Sequence, residues 1–113
     1  MSDTRSLKIQ TSVLRRLVRE LEYYRQEAQD LEARVERLKE SGADEHLINK
    51  QIEVLNESRQ MIPDTVTRME TAWYSLKQVL DTFTEENPLF EGEEVQLAKH
   101  QLQLAEQYMS STP

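Results

Sequence analysis

At 113 residues, with 37% hydrophobic and 31% charged side chains, the chain can bury one modest core and no more. Cysteine is absent, which excludes disulfides and thiolate metal sites and suits a reducing compartment. The net charge of −7 argues against broad phosphate binding, and no stretch approaches the ~18 apolar residues of a membrane span, so neither nucleic acid nor membrane is an expected partner.

The opening Met-Ser-Asp-Thr-Arg has no apolar run behind it of the kind a signal peptide requires, so a soluble, cytoplasmic protein is expected. Residues 1–19 carry Arg5, Lys8, Arg15, Arg16 and Arg19 against Asp3 alone, a local balance of +4 that leaves −11 for the remainder. This segment is either a basic patch able to dock on an acidic protein surface or the solvated face of a helix. Helix one is expected over about residues 6–40. Leu14, Leu17, Leu21, Tyr24, Ala28, Leu31, Val35 and Leu38 alternate steps of three and four, the a/d seam of helices packed lengthwise. Leu7, Val13 and Val18 broaden the stripe, so its N-terminal half should have more than one neighbour. Ser41-Gly42 ends the helix, because glycine takes the left-handed conformation that stops one. Asp44 then offers a side-chain oxygen to start helix two, and so short a connection makes the two helices antiparallel neighbours.

Helix two is expected over about residues 45–84, on a ladder of Ile48, Ile52, Leu55, Arg59, Ile62, Val66, Met69, Trp73, Leu76, Leu80 and Phe83. Trp73 and Met69 read as core on this ladder, and Arg59 is its one charged rung. Pro63 removes a backbone donor and its ring meets the Arg59 carbonyl. A break into two helices would reset the ladder, whose phase is kept, so one helix bent over Arg59–Pro63 is expected. Met61 lies just off the seam, exposed for an adaptable contact. Glu85 to Gly92, with Asn87-Pro88, reads as a loop whose Leu89 and Phe90 fold back over the open end of the bundle. Helix three is expected over about residues 93–109, with Glu93-Glu94 at the positive end of its dipole and Val95, Ala98, Leu102, Ala105 and Met109 facing inward. A frayed tail, Ser110 to Pro113, should follow.

Together these elements make a single all-α domain over residues 1–113, an elongated antiparallel three-helix bundle built as a long hairpin with a shorter third helix. At about 1.5 Å per residue helix three can cover only half of the hairpin, leaving the part around Leu31–Leu38 and Ile48–Leu55 as a two-helix arm. Pairing the ladders about Gly42 sets Leu38 against Ile48, Val35 against Ile52, Tyr24 against Ile62 and Leu14 against Trp73. Arg59 then falls opposite Ala28, the smallest rung, which makes room for the bend.

No catalytic constellation emerges. His46 and His100 sit near opposite ends of this arrangement, and neither has a second histidine one helical turn away, as a zinc site on a helix needs. Glycine occurs only at Gly42 and Gly92, too few for a phosphate-cradling loop. A slender bundle offers no deep pocket for tuned acid/base groups, so no enzyme, metal or cofactor is expected.

The run Glu57-Ser58-Arg59-Gln60-Met61-Ile62-Pro63-Asp64, followed by Arg68, resembles the signature of the tubulin-binding cofactor A family of tubulin-specific chaperones. Lys50-Gln51, Glu53-Val54-Leu55, Leu7-Lys8-Ile9-Gln10-Thr11, Arg16-Leu17-Val18-Arg19-Glu20, Tyr24 and Glu27-Ala28 are similar to the same family, and the likeness covers about residues 7–80. The resemblance implies a cytosolic, cytoskeleton-associated three-helix protein that captures β-tubulin released from the cytosolic chaperonin and passes it towards heterodimer assembly, with no nucleotide or metal. Its expected contacts lie along the outer faces of the hairpin: Arg59, Met61, Asp64 and Arg68 around the bend, with Lys8, Arg16 and Arg19 as a basic patch. Ser58, Arg59 and Pro63 could instead serve only to shape the bend. A monomer is favoured over a homodimer. A coiled-coil tether and a general holdase are the alternatives from other classes.

Overall fold

The computed structural model describes residues 2–111, and three helices account for most of them: α1 (Ser2–Glu40), α2 (Glu45–Leu80) and α3 (Glu93–Ser110). Their packing is the expected all-α antiparallel bundle, drawn out to 67 × 18 × 17 Å. The radius of gyration is 19.4 Å, against about 13 Å for a compact domain of similar length. Thin helices that each bury one stripe produce that shape.

The hairpin turns on Gly42, whose φ of +72° is the left-handed conformation other residues avoid. Ala43 N–H donates to the Leu38 carbonyl (3.0 Å) and Gly42 N–H to Lys39 (3.2 Å), the paired bonds of a Schellman ending. Asp44 occupies the N-cap of α2 as expected, but its side chain makes no capping bond; its carbonyl accepts the Ile48 N–H instead. α1 begins a turn earlier than expected, because residues 2–5 contain neither proline nor glycine and the pull of buried Leu7 extends the helix back through them. α2 ends at Leu80 rather than near Thr84. There the Thr82 N–H (3.1 Å) and hydroxyl (2.6 Å) both take the Val79 carbonyl, and Phe83 N–H takes Leu80, which tightens the chain into a turn. Phe83 is nevertheless buried and plugs the open end of the bundle. Of the two loop residues expected there, Leu89 is 44% exposed and Phe90 is half-buried, its ring 5.4 Å from the Lys99 ammonium. Ser110 closes α3, so the expected fraying does not reach it, while Thr112 and Pro113 lie outside the described residues.

Contacts between α1 and α3 keep a constant offset. Lys8 meets Glu94, Tyr108 donates to Glu22, and Arg25 donates to Ser111, each pair 86 residues apart. A constant difference means the two helices run parallel, so α3 covers α1 only from Lys8 to Arg25. The Trp73 indole N–H donates to the Leu102 carbonyl (3.2 Å) and ties α3 to α2. The core follows that coverage: Leu7, Leu14 and Leu21 of α1, Met69 and Leu76 of α2 and Val95 of α3 are all sealed from solvent. Beyond it the arm buries only Ala28, Val35, Leu55 and Ser58.

The buried stripe of α2 differs from the expected ladder at alternate rungs. Ser58, Thr65 and Ala72 are buried, whereas Arg59 is exposed and Val66 and Trp73 are half-buried. Arg59 is therefore not a seam residue, and Trp73 packs at the flank against α3 rather than in the centre. A helix pressed between two neighbours brings small side chains to the point of closest approach and places larger ones at the sides.

Uneven coverage gives uneven stability. Leu14→Ala, in the three-helix half, should cost about 2–5 kcal/mol. Leu38→Ala, half-buried in the arm, should cost under about 1.5 kcal/mol. Chemical denaturation of the two variants measures the difference, and equal losses would contradict a core confined to one half.

Candidate functional site

The motif residues of α2 lie where α3 runs out. Ser111, just past the end of α3, is held by Arg25, whose guanidinium bonds its hydroxyl (2.9 Å) and carbonyl (2.8 Å). One turn further along α1 comes Ala28, and across from it Arg59, Ile62 and Pro63 line a shared groove of about 520 Å³. Arg59 and Ala28 thus face each other as the register requires. α2 runs unbroken through Pro63, so the proline is accommodated inside one helix.

Three links cross between α1 and α2 in this region. Ser58 Oγ donates to Glu27 Oε1 at 2.7 Å, Arg59 Nη2 pairs with Glu32 Oε2 at 3.2 Å, and Arg68 Nη1 stands 3.9 Å from Glu20 Oε2. Glu27 also accepts the Tyr23 phenol at 3.0 Å, a bond that raises the tyrosine pKa above its usual value. Along α2 itself, Thr65 donates to the Met61 carbonyl and Thr67 to that of Pro63, while Arg68 Nη2 donates to the Thr65 hydroxyl. Gln60 donates to Asp64 Oδ1 at 3.3 Å. The motif is consequently a brace as well as a surface. Glu20, Glu27 and Glu32 are its partners on α1; Glu20 and Glu27 fall in the family-like stretches, but none of the three reads from sequence as a partner of the motif. Spacing does not mark them as a set, since Glu20 and Glu27 are seven residues apart and Glu27 and Glu32 only five.

The expected contact residues do not form one patch. Arg16 and Arg68 come together on the rim of a groove of about 600 Å³ between α1 and α2, on the side away from α3. Met61, seven residues before Arg68, and Asp64, seven before groove-lining Thr71, fall on the same side of α2 by helical repeat; Met61 is half-buried and Asp64 exposed. Arg59 opens on the opposite side of the hairpin, towards the end of α3. Lys8 is drawn to α3 by Glu94 at 3.5 Å, so it belongs to the α1–α3 border. Arg19 is exposed on α1 and, like Arg16, makes no ion pair among the described residues.

Among the described residues, no group of three or more His, Asp or Glu side chains is placed to hold a metal ion, and no helix is long and apolar enough to cross a membrane. The two long helices present exposed guanidiniums, hydroxyls and isolated apolar side chains.

Comparison with known proteins matches residues 2–102 to the family model for tubulin binding cofactor A. The tubulin-specific chaperone A of Mus musculus is 42% identical over 95 residues, spanning 84% of this chain and 85% of the mouse protein. Among solved structures, tubulin folding cofactor A of Arabidopsis thaliana superposes with a TM-score of 0.87 at 38% identity, covering 95% of this chain and 98% of that one. A β-tubulin-binding post-chaperonin cofactor superposes with a TM-score of 0.78 at 29% identity, covering 93% of this chain and 98% of its own.

The brace gives neighbouring residues different weights. Ser58→Ala strands part of a carboxylate at a buried contact and should cost about 1–2 kcal/mol. Arg59→Ala removes a solvent-exposed pair and should cost at most about 1 kcal/mol. Urea melts of the two variants check this, and the reverse order would make Arg59 the structural member.

Proposed function

This chain belongs to the tubulin binding cofactor A family and is a tubulin-folding cofactor, and we propose that the species it holds is β-tubulin released from the cytosolic chaperonin. In this reading it keeps the captured subunit from aggregating until that subunit passes to heterodimer assembly. It acts in the cytoplasm, as a monomer, and without covalent chemistry of its own. The observation that carries the reading is the family match over residues 2–102, which includes the whole Glu57–Asp64 motif. The likeness to a β-tubulin-binding post-chaperonin cofactor supports the choice of subunit.

A holding role suits the physical design. A rod 67 Å long and 18 Å wide presents much side surface for its mass, and its stable half anchors an arm that reaches beyond it. Arg59, Met61, Asp64 and Arg68 around the motif, with Lys8, Arg16 and Arg19 on α1, are the proposed contacts along the outer faces of the hairpin. Arg16 and Arg19 are the strongest of these, because neither guanidinium is engaged by a carboxylate of the described chain. Free surface cations speed and orient encounter with an acidic partner.

Charge reversal at both positions, Arg16→Glu with Arg19→Glu, should weaken capture of β-tubulin in pull-down by about tenfold while circular dichroism shows helicity unchanged. Undiminished capture by the double variant would remove these residues from the contact set. Protection of unrelated unfolding proteins to the same degree as β-tubulin would favour a general holdase instead.

A further inference from the structure

The furrow between α1 and α2 on the side away from α3 is a long groove left uncovered within the described residues, since every contact of α3 named above falls on the other side. We infer that this furrow receives an acidic, amphipathic helix of the client protein, an inference that rests on the β-tubulin reading and specifies how the client is gripped.

The shape of the furrow suits a helix. Its floor is Leu17 and Ala72, and its α2 wall is made of Thr67, Thr71 and Ser75. Short side chains along a groove let a second helix lay a ridge of its own into it at the usual interaxial distance of about 8–10 Å. The hydroxyls of Thr67 and Thr71 are turned back onto the Pro63 and Thr67 carbonyls, which leaves their methyl groups as contact surface.

Its charge selects an acidic occupant. Arg16 and Arg68 stand on the two rims, and Glu20 is the one carboxylate lining the same groove. Glu20 is 3.9 Å from Arg68, beyond hydrogen-bond reach, and Arg16 has no ion-pair partner among the described residues. Among the residues lining the groove two guanidiniums outweigh one carboxylate, a local balance of +1 on a chain whose total charge is −7. Asp64 marks the end of the positive stretch towards the hairpin tip. A planar guanidinium takes a carboxylate through two parallel bonds, so a pair of them fixes orientation as well as sign.

The apolar residues beside the furrow give the register. Ile9 and Tyr23 stand seven residues on either side of Arg16 and are 48% and 61% exposed. On α2, half-buried Met61 precedes Arg68 by seven residues and lies opposite the Tyr23 end of the furrow. Ile9 and Tyr23, two heptads apart on one face of α1, are spaced as end anchors for a helix laid along it. Ile9 to Tyr23 spans about 21 Å, the length of about four turns of the incoming helix.

The test titrates full-length protein against chaperonin-released β-tubulin. Arg16→Glu with Arg68→Glu reverses the rim, and Thr71→Trp fills the furrow without touching charge. Lys39→Glu with Lys77→Glu and Leu97→Trp are matched controls away from the furrow. Each furrow variant should bind at least about tenfold more weakly and each control within about twofold of wild type. A photo-crosslinking residue at position 71 of the otherwise wild-type protein should capture a peptide from an acidic helix of the client. Wild-type affinity in Thr71→Trp, equal losses in furrow and control variants, or capture of a peptide without acidic helical character would each overturn the inference while leaving the client in place. Failure of the wild type to bind β-tubulin would overturn the client reading itself, and the inference with it.

Discussion

The reversal at Gly42 fixes the register on which the rest of the molecule depends. Once Gly42 adopts a positive φ and α1 closes with paired bonds to Leu38 and Lys39, α2 returns along α1 with no freedom to slide. That register brings Ser58 to Glu27, Arg59 to Glu32 and Arg68 towards Glu20, and it seats Leu14 and Leu21 beside Met69 and Leu76 in one core. A slip of one residue would rotate each partner by about 100° around its helix and break all of these together. α3 then has only one place to go. It leaves the end of α2, turns at Phe83 and runs parallel to α1 until its length is spent at Arg25.

Much of this was legible because long helices advertise themselves by period. The Leu14–Leu38 ladder, the stop at Gly42, the short third helix and the resulting arm all follow from spacing and length. The failures share a cause. A heptad reading assigns each rung to the larger apolar or more conspicuous side chain, so it chose Arg59 over Ser58, Val66 over Thr65 and Trp73 over Ala72. Packing between three helices makes the opposite choice, because the residue at closest approach has least room. Ser58 and Thr65 can occupy such positions because Glu27 and the Met61 carbonyl satisfy their hydroxyls. Sequence does not display that partner, since Glu27 is thirty-one residues away. The split of the basic patch has a related origin: Lys8 and Arg16 are eight residues apart on one helix, yet α3 pulls the first towards Glu94 and leaves the second facing the furrow.

The Ser58–Asp64 motif accordingly has two sides. Towards α1 it is a brace, binding the hairpin at the point where support from α3 ends and a two-helix arm would otherwise be free to splay. Away from α1 it is surface, with Met61, Asp64 and Arg68 continuing the line of the furrow. The two tasks reinforce each other. Groups that must meet a partner in a fixed geometry lose less entropy on binding when the backbone beneath them is already held.

The charge distribution makes the proposed acidic client compatible with a strongly acidic chain. A total of −7 keeps the rod in solution and repels acidic surfaces over most of its length. Screening at physiological salt confines each charge to about 8 Å, so a client close to the surface senses the local rim rather than the whole molecule. Near Arg16 and Arg68 that rim is positive, and nearly everywhere from Asp81 to Glu106 it is negative. On the proposed mode of binding, an acidic client segment is attracted along that groove and repelled along the acidic stretch of the third helix and the loop before it. That arrangement would let a holding protein with a small core gain selectivity by making one face of a narrow rod favourable and the other unfavourable.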